Sequence, residues 1–433
     1  MISMERDILD DLLRWKADPD HKPAMIRGVR QCGKTWAMKE LGRHYPDCAY
    51  FNFEEQRIGD LFEQDYSVDR IVRLLGALRG RSIGTDCLII LDEIQLCSAA
   101  ITALKYFCED GRYDVICAGS LLGVKLMTTS PPVGKVDDFT MYPMSFREFL
   151  VANGQKMVVD TMEDDPSPSA VEVFADRLIP LYREYLAVGG LPEAVGSWAD
   201  RHDSSAVDSI LRSLADRYVL DIVRYGDFKV KSNGELVWRS IPSQLAKDNN
   251  RFVMGHVSEG VRARDLWSSV DWLDMAGLAH AVPITVGTGS VPSVQSDLSA
   301  FKLYCFDTGV MRVLADIPFS DALIDSDRSS LYRGAIAENY VLCELLRMTA
   351  HRIWCWRSGN RAEVDFLTRF DSGPVPIEVK AGEKVRANSL KVYLDSHEGM
   401  GVVASMNPLA KKDRVLMVPL YAFWLLPSIL KKS

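Results

Sequence analysis

The sequence predicts an α/β protein with a helix-flanked sheet in its first third, a mostly helical middle, and a second α/β region at its end. Three observations carry this. From Ala24 to Tyr142 short apolar runs alternate with amphipathic segments, as they do where helices cover a sheet. In the middle, apolar residues such as Val237, Ile241 and Leu245 recur at helical spacing. From Leu331 onward a helix is followed by short β-prone runs and then another helix.

Taken in order, the strands expected first are Ala24–Arg27, Cys48–Phe53, Cys87–Leu91, Val115–Ala118 and Phe139–Tyr142, with a helix over Trp36–Tyr45. Helices follow around Ser145–Ala152 and Ala170–Ala187. Between them lies Glu163-Asp-Asp-Pro-Ser-Pro-Ser169, acidic and twice interrupted by proline, which reads as an exposed loop. Gly189, Gly190 and Pro192 mark a tight turn ending the helical stretch. The spacing of Leu266, Val270 and Leu273 predicts another short helix, which Gly277 can cap, before a strand at Leu278–Ile284. Short helices followed by a strand are the order of a winged helix-turn-helix, used for DNA and for protein contacts alike. After the turn-rich Gly287–Ser299, Lys302–Thr308 reads as a strand. The last region is expected to run helix Leu331–Met348, strands Ile353–Trp356, Glu363–Thr368 and Pro376–Val379, helix Ser389–Ser396 and strand Gly401–Ser405. The boundaries drawn from this are 1–144, 145–215, 216–330 and 331–433.

A chain of 433 residues exceeds what one core usually serves, and 47% apolar with 25% charged residues excludes a mainly disordered protein. The net charge of −8 repels phosphate, so contact with nucleic acid requires a local basic surface. The stretch Val379–Ser433, with nine Lys and Arg against four Asp and Glu, offers one, although a solvated charged face is the simpler reading. Nine scattered cysteines lack the paired spacings of a zinc site or a disulfide framework. Reduced thiols in a cytoplasmic protein fit best. The N-terminus has no basic segment leading into an apolar one, and the apolar stretch Val415–Leu430 is short and broken by Pro419 and Pro427. No membrane association is expected.

Gly28-Val-Arg-Gln-Cys-Gly-Lys-Thr35 fits the P-loop pattern, with an apolar strand before it and a helical run after it. Glycines let the backbone wrap phosphates, so that successive N–H groups and the helix N-terminus face the anion. The expected nucleotide contacts are Gly28, Arg30, Gln31, Cys32, Gly33, Lys34, Thr35 and Trp36. Lys34 is expected on the β- and γ-phosphates of ATP and Thr35 on Mg²⁺. Cys87-Leu-Ile-Ile-Leu-Asp92-Glu93 is an apolar strand ending in two carboxylates, the form of a Walker B segment. Asp92 is expected to hold Mg²⁺ and Glu93 to polarise the attacking water. Ser120, ending the strand at 115–118, is read either as a γ-phosphate sensor or as a helix cap. Arg30 either adds charge near the phosphates or pairs with a carboxylate. None of Arg147, Arg217 and Arg224 stands out as an arginine finger.

In the last region Glu338, Asp365 and Glu378 could converge on a second Mg²⁺ or Mn²⁺, with Lys380 orienting or activating water for attack on a phosphodiester. Alternation along a strand puts Glu378 and Lys380 on one face. The bland reading is that Asp365 simply pairs with Arg361 or Arg357.

The chain as a whole resembles the bacterial and archaeal AAA+-type P-loop ATPases fused to a C-terminal PD-(D/E)XK nuclease-like domain of unknown function. The resemblance rests on Arg30–Thr35, Leu91-Asp-Glu-Ile-Gln95, Ala118-Gly-Ser120, Tyr142-Pro-Met-Ser-Phe146, Gly189-Gly-Leu-Pro192, Lys302-Leu-Tyr304, Asp307-Thr-Gly309, Glu363-Val-Asp-Phe366 and Ile377-Glu-Val-Lys380. It implies an ATPase core, a helical lid, a winged-helix region and a nuclease-like domain. The functions expected are ATP hydrolysis coupled to binding or cleaving DNA, or an ATP-dependent switch that docks protein partners around an inactive nuclease-like fold. A homo-oligomer is compatible with both, and an arginine supplied in trans is expected if the protein forms rings.

Overall fold

The computed structural model describes residues 4–63, 65–126, 133–247, 250–258, 262–286, 296–323, 330–359, 362–382 and 388–432. They form two compact units, one of Arg6–Pro143 with Met275–Gly277, the other of Met144–Asp274 and Leu278–Ser433 with the first residues of the chain.

The unit of Arg6–Pro143 is built on five strands, β1 (Ala24–Arg27), β2 (Asp47–Asn52), β3 (Cys87–Asp92), β4 (Val115–Gly119) and β5 (Asp137–Thr140). All neighbours run parallel, in the order β2-β3-β4-β1-β5. β3 and β4 are buried at every position, which is why they read as unbroken apolar runs. Ile71, Leu75, Ile101, Leu104 and Phe107, from the helices Val68–Arg79 and Ser98–Asp110, pack in one core with Ile89, Leu91 and Cys117 of the sheet. Because the strands are parallel, β1, β3 and β4 all end at the same edge, where their carboxyl ends present loops. β5 begins and ends two residues before the expected Phe139–Tyr142. It is an edge strand whose register is set by pairing with β1, Ala24 opposite Asp137, and an edge tolerates the charged Asp137 and Asp138.

The other unit contains an eight-stranded mixed sheet: β6 (Ala279–Thr285), β7 (Ser296–Cys305), β8 (Trp354–Ser358), β9 (Ala362–Phe370), β10 (Gly373–Val379), β11 (Gly401–Ser405), β12 (Ala410–Lys412) and β13 (Val415–Pro419). The order is β12-β13-β11-β10-β9-β8-β6-β7. The antiparallel hairpin β6–β7 therefore continues the C-terminal sheet, with Ile284 and Thr285 paired in parallel with Cys355 and Trp356. Strands expected at the end of a winged-helix region are thus the last two strands of the same sheet as β8–β13, with β7 at its edge. The expected strand Lys302–Thr308 stops at Cys305, because Asp307 turns to cap the helix Thr308–Leu314 through Val310 N–H at 2.9 Å. Residues 287–295 of the turn-rich stretch lie outside the described residues.

Helices of this unit differ from expectation in three places. The acidic loop shrinks to Asp165–Ser167: the helix Lys156–Asp164 takes its first residues, and Pro168 opens the next helix, where its missing N–H costs nothing. The helix expected at Ala170–Ala187 is two, Pro168–Val173 and Ala175–Val188. The turn at Gly189–Gly190 redirects the chain into further helices, Pro192–Arg201, Ser204–Tyr225 and Phe228–Leu245. Gly189 has φ 75°, and a Cβ there would stand 2.2 Å from Asp307 Oδ1. Gly190 N–H donates to Asp307 Oδ2 at 2.7 Å, so two sequence motifs far apart in the chain meet at one carboxylate. Phe146, Tyr182, Tyr185, Tyr340 and Trp424 form an aromatic cluster joining this helical stretch to the C-terminal one. All nine cysteines are free, and among the described residues no helix is long and apolar enough to cross a membrane.

Candidate functional site

The loop after β1 enters the helix Lys34–Gly42, which begins two residues before the expected Trp36 because Gly33, at φ 105°, already occupies the N-cap position. The loop is drawn tight against the sheet. A Cβ on Gly28 would stand 2.2 Å from Met141 O, so only glycine permits this approach. Gln31 adopts φ 61°, and its Oε1 is buried without a partner among the described residues. Lys34 is buried and folds back, its Nζ donating to Val29 O at 2.7 Å and Gly28 O at 3.0 Å. Arg30 and Trp36 are exposed and Cys32 is buried.

Two strands away, the end of β3 faces this helix start. Thr35 Oγ1 donates to Asp92 Oδ2 at 2.7 Å, and the Tyr50 hydroxyl of β2 donates to the same oxygen at 2.9 Å. Burial, and then the bond to Asp92, push the Tyr50 phenol above its usual range. Glu93, at φ 53°, turns its carboxylate toward β4. There Oε2 accepts from Gln95 Nε2 at 2.5 Å and from Ser120 Oγ at 3.1 Å. Ser120 thus has a side-chain partner in the Glu93 carboxylate.

The arrangement fits ATP with magnesium. A glycine cradle opens a helix N-terminus, an ammonium sits inside the loop, and a hydroxyl and carboxylate are already in contact where a hard cation takes oxygen ligands. Lys34 and the loop N–H groups would hold phosphates, and Thr35 and Asp92 would hold Mg²⁺. Three further residues of this centre, Tyr50, Gln95 and Arg6, had no role assigned from the sequence. Tyr50 and Gln95 reach the two carboxylates. Arg6, 7% exposed, clamps the loop from outside, Nη1 donating to Cys32 O at 2.6 Å and Nη2 to Tyr142 O at 2.7 Å. No single-sequence signal marks Arg6 or Tyr50. Gln95 follows Glu93 by two residues, but its role depends on β4.

In the other unit Glu338, Asp365, Glu378 and Lys380 do come near one another, but around Lys302, to which the sequence assigned no part in this centre. Lys302 of β7 is wholly buried, with Nζ 2.8 Å from Glu338 Oε1, 2.8 Å from Glu363 Oε1 and 3.5 Å from Asp365 Oδ1. Tyr304 and Asn250 also donate to Glu338, at 2.5 Å and 2.9 Å. Asp365 Oδ2 accepts Val379 N–H at 2.8 Å. Lys380 pairs with Glu378 at 2.9 Å, and Glu378 also accepts Leu390 N–H. Arg357 pairs with Glu363 instead of Asp365, and Arg361 lies outside the described residues. Burial raises the Glu338 carboxyl. Burial opposes ionisation of Glu363 too, but Lys302 and Arg357 outweigh it and hold that carboxyl low. Burial likewise opposes the charge on Lys302, and the carboxylates, Glu338 foremost, keep it protonated far beyond the ordinary range. The second Mg²⁺ or Mn²⁺ expected at Glu338, Asp365 and Glu378 does not fit, because an ammonium stands among the carboxylates. Among the described residues no group of three or more His, Cys, Asp or Glu is placed to hold a metal ion.

Comparison with known proteins follows the same division. Residues 20–150 match the family described as "AAA domain". Residues 179–321 and 333–423 match two further families, each described as a domain of unknown function (DUF8612 and DUF4143). No curated protein matches the chain. Among solved structures, the Walker-type ATPase PABY2304 of Pyrococcus abyssi is similar at 11% identity, over 72% of this chain and 96% of its own, with a TM-score of 0.46. The Aeropyrum pernix ORC1 protein in complex with DNA is similar at 16% identity over 73% and 92%, with a TM-score of 0.30. Hsp104 with ATPγS and casein, in its closed state, is similar at 15% over 66% and 52%, with a TM-score of 0.29. With scores this low, the weight rests on the family match and the geometry of the loop. Residues 20–150 are an AAA-type P-loop ATPase domain.

Proposed function

We propose that this chain is a Mg²⁺-dependent ATPase that works as a nucleotide-controlled switch on a protein partner, without cutting nucleic acid at its C-terminal acidic centre. The observation that carries the ATPase part is the Thr35–Asp92 contact of 2.7 Å beside the buried Lys34. In this reading Lys34 exchanges the carbonyls of Gly28 and Val29 for phosphate oxygens, and Thr35 and Asp92 turn to the cation. Mg²⁺, when bound, screens the charge of the β- and γ-phosphates. Glu93 acts as the base that takes a proton from water, and Gln95 and Ser120 hold its carboxylate in place until phosphate arrives. Release of Glu93 from these two donors is the two-state element through which nucleotide is sensed.

Lys34→Ala is expected to abolish ATP binding, and Glu93→Gln to keep binding and lose turnover, read by nucleotide titration and phosphate release. Equal ATP affinity in the wild type and Lys34→Ala would remove the site from this loop. A protein partner is favoured over DNA by the net charge of −8 and by the use made of two of the nine C-terminal cations: Lys380 pairs with Glu378, and Arg414 donates to the carbonyls of Leu394 and Gly399. The competing reading, DNA cleavage, draws on the nearness of Asp365, Glu378 and Lys380. It requires metal-dependent cutting of DNA by the wild type that vanishes in Asp365→Asn and Lys380→Ala.

A further inference from the structure

The buried cluster around Lys302 has a stoichiometry that bears on its chemistry. An ammonium has three N–H donors, and Lys302 has three carboxylate neighbours, Glu338 on the helix Ser330–Met348 and Glu363 and Asp365 two residues apart on β9. Every one of these carboxylates has a further donor of its own: Tyr304 and Asn250 for Glu338, Arg357 for Glu363, and the Val379 N–H for Asp365. A divalent cation in such a place would need several carboxylate oxygens at about 2.0–2.6 Å, free to turn toward it. Here those oxygens are turned toward nitrogen and hydroxyl donors, and Lys302 has no exposed surface through which water could exchange it.

We propose that the Lys302 ammonium is the resident cation of this centre, standing where a metal-dependent hydrolase would bind its divalent ion, so that the cluster is closed to metal and structural in role. The lysine is tethered through its own strand, whereas a metal would have to be bound from solution, so the substitution is permanent. Removing Lys302 would leave the buried Glu338 and the half-buried Glu363 and Asp365 without their shared counter-charge, with only Arg357 still paired to Glu363. That is strongly unfavourable unless another cation enters. A side chain of similar length with no charge would therefore turn the cluster into a metal site. This inference stands apart from the ATP-site reading, since it concerns carboxylates of the other unit.

The test uses the whole chain carrying Asp92→Asn, so that the nucleotide site loses the carboxylate that would hold its metal, and Mn²⁺ alone as the probe, followed by electron paramagnetic resonance. Without nucleotide, this protein is expected to retain no Mn²⁺. Retention of one Mn²⁺ that disappears on adding Asp365→Asn would overturn the proposal. With Lys302→Met added, one Mn²⁺ per chain is expected, together with a rise in the unfolding temperature on Mn²⁺ addition. A folded Lys302→Met variant that takes up no Mn²⁺ would overturn it as well. Should Lys302→Met fail to fold even with Mn²⁺ present, the Asp92→Asn protein and its Asp365→Asn derivative still decide the matter. ATP turnover, measured on the wild type, reports separately on the other site.

Discussion

Replacing Arg6 by alanine tests whether the P-loop is held from outside by the chain's N-terminal segment. The guanidinium is almost wholly buried and bridges two backbone carbonyls that sequence keeps far apart, Cys32 O in the loop and Tyr142 O after β5, at 2.6 and 2.7 Å. Hydrogen bonds to a charged group contribute about 1.5–3 kcal/mol each, and the carbonyls left behind lose their donor, so a loss near 3 kcal/mol follows even after discounting for the shared side chain. For a unit of this size that corresponds to a fall of about 10 °C in Tm. The loop would then have to be ordered by the nucleotide itself, and a cost of about 1.4 kcal/mol for that weakens ATP binding roughly tenfold. Arg6→Lys, which cannot reach both carbonyls with a planar fork, should fall between the two proteins. Thermal unfolding and nucleotide titration of the three proteins make the measurement. If Arg6→Ala unfolds within about 1 °C of the wild type and binds ATP equally well, the clamp does not support the loop.

The remaining expectations concern residues around the same sheet. A Cβ on Gly119 would stand 2.0 Å from Gln95 Oε1, the movable end of a side chain, so Gly119→Ala should fold normally but displace Gln95 from Glu93; steady-state kinetics should show turnover reduced about tenfold, about 1.4 kcal/mol in the barrier, with ATP affinity kept. Tyr50→Phe removes one of the two hydroxyls on Asp92 and should raise the Mg²⁺ concentration needed for half-maximal turnover several-fold; an unchanged requirement would mean that Thr35 alone orients the carboxylate. The hydrogen bond to Asp114 raises the pKa of His21 against the effect of burial. A raised folded-state pKa gives stability that is complete below the unfolded value of about 6.5 and is lost as pH rises through the folded value. Wild-type Tm should therefore decline above pH 6.5 relative to His21→Gln, and parallel pH profiles would show that the pair carries no linkage.

What depends on neighbours along the chain is legible in the residues alone. The loop Gly28–Thr35 is contiguous, so its glycines and Lys34 can be recognised without knowing the fold. β3 and β4 are buried on both faces, and burial of that kind leaves an apolar run that cannot be mistaken for a surface segment. The order helix, strands, helix in the C-terminal region is likewise visible, because each element carries its own periodicity. Which groups meet across strands and between helix and sheet follows from the folded chain. Arg6 reaches Cys32 and Tyr142, Tyr50 reaches Asp92, and Lys302 reaches Glu338 and Glu363. Each of these contacts joins residues far apart in the chain, and an isolated lysine or tyrosine has no periodicity that encodes its partner. The hairpin β6–β7 shows the same limit at the level of topology: alternation identifies a strand, but a strand's neighbours are chosen by its edge hydrogen bonds, and those are satisfied here by β8. The acidic centre follows from that choice, since Lys302 lies on the hairpin that the sheet recruits.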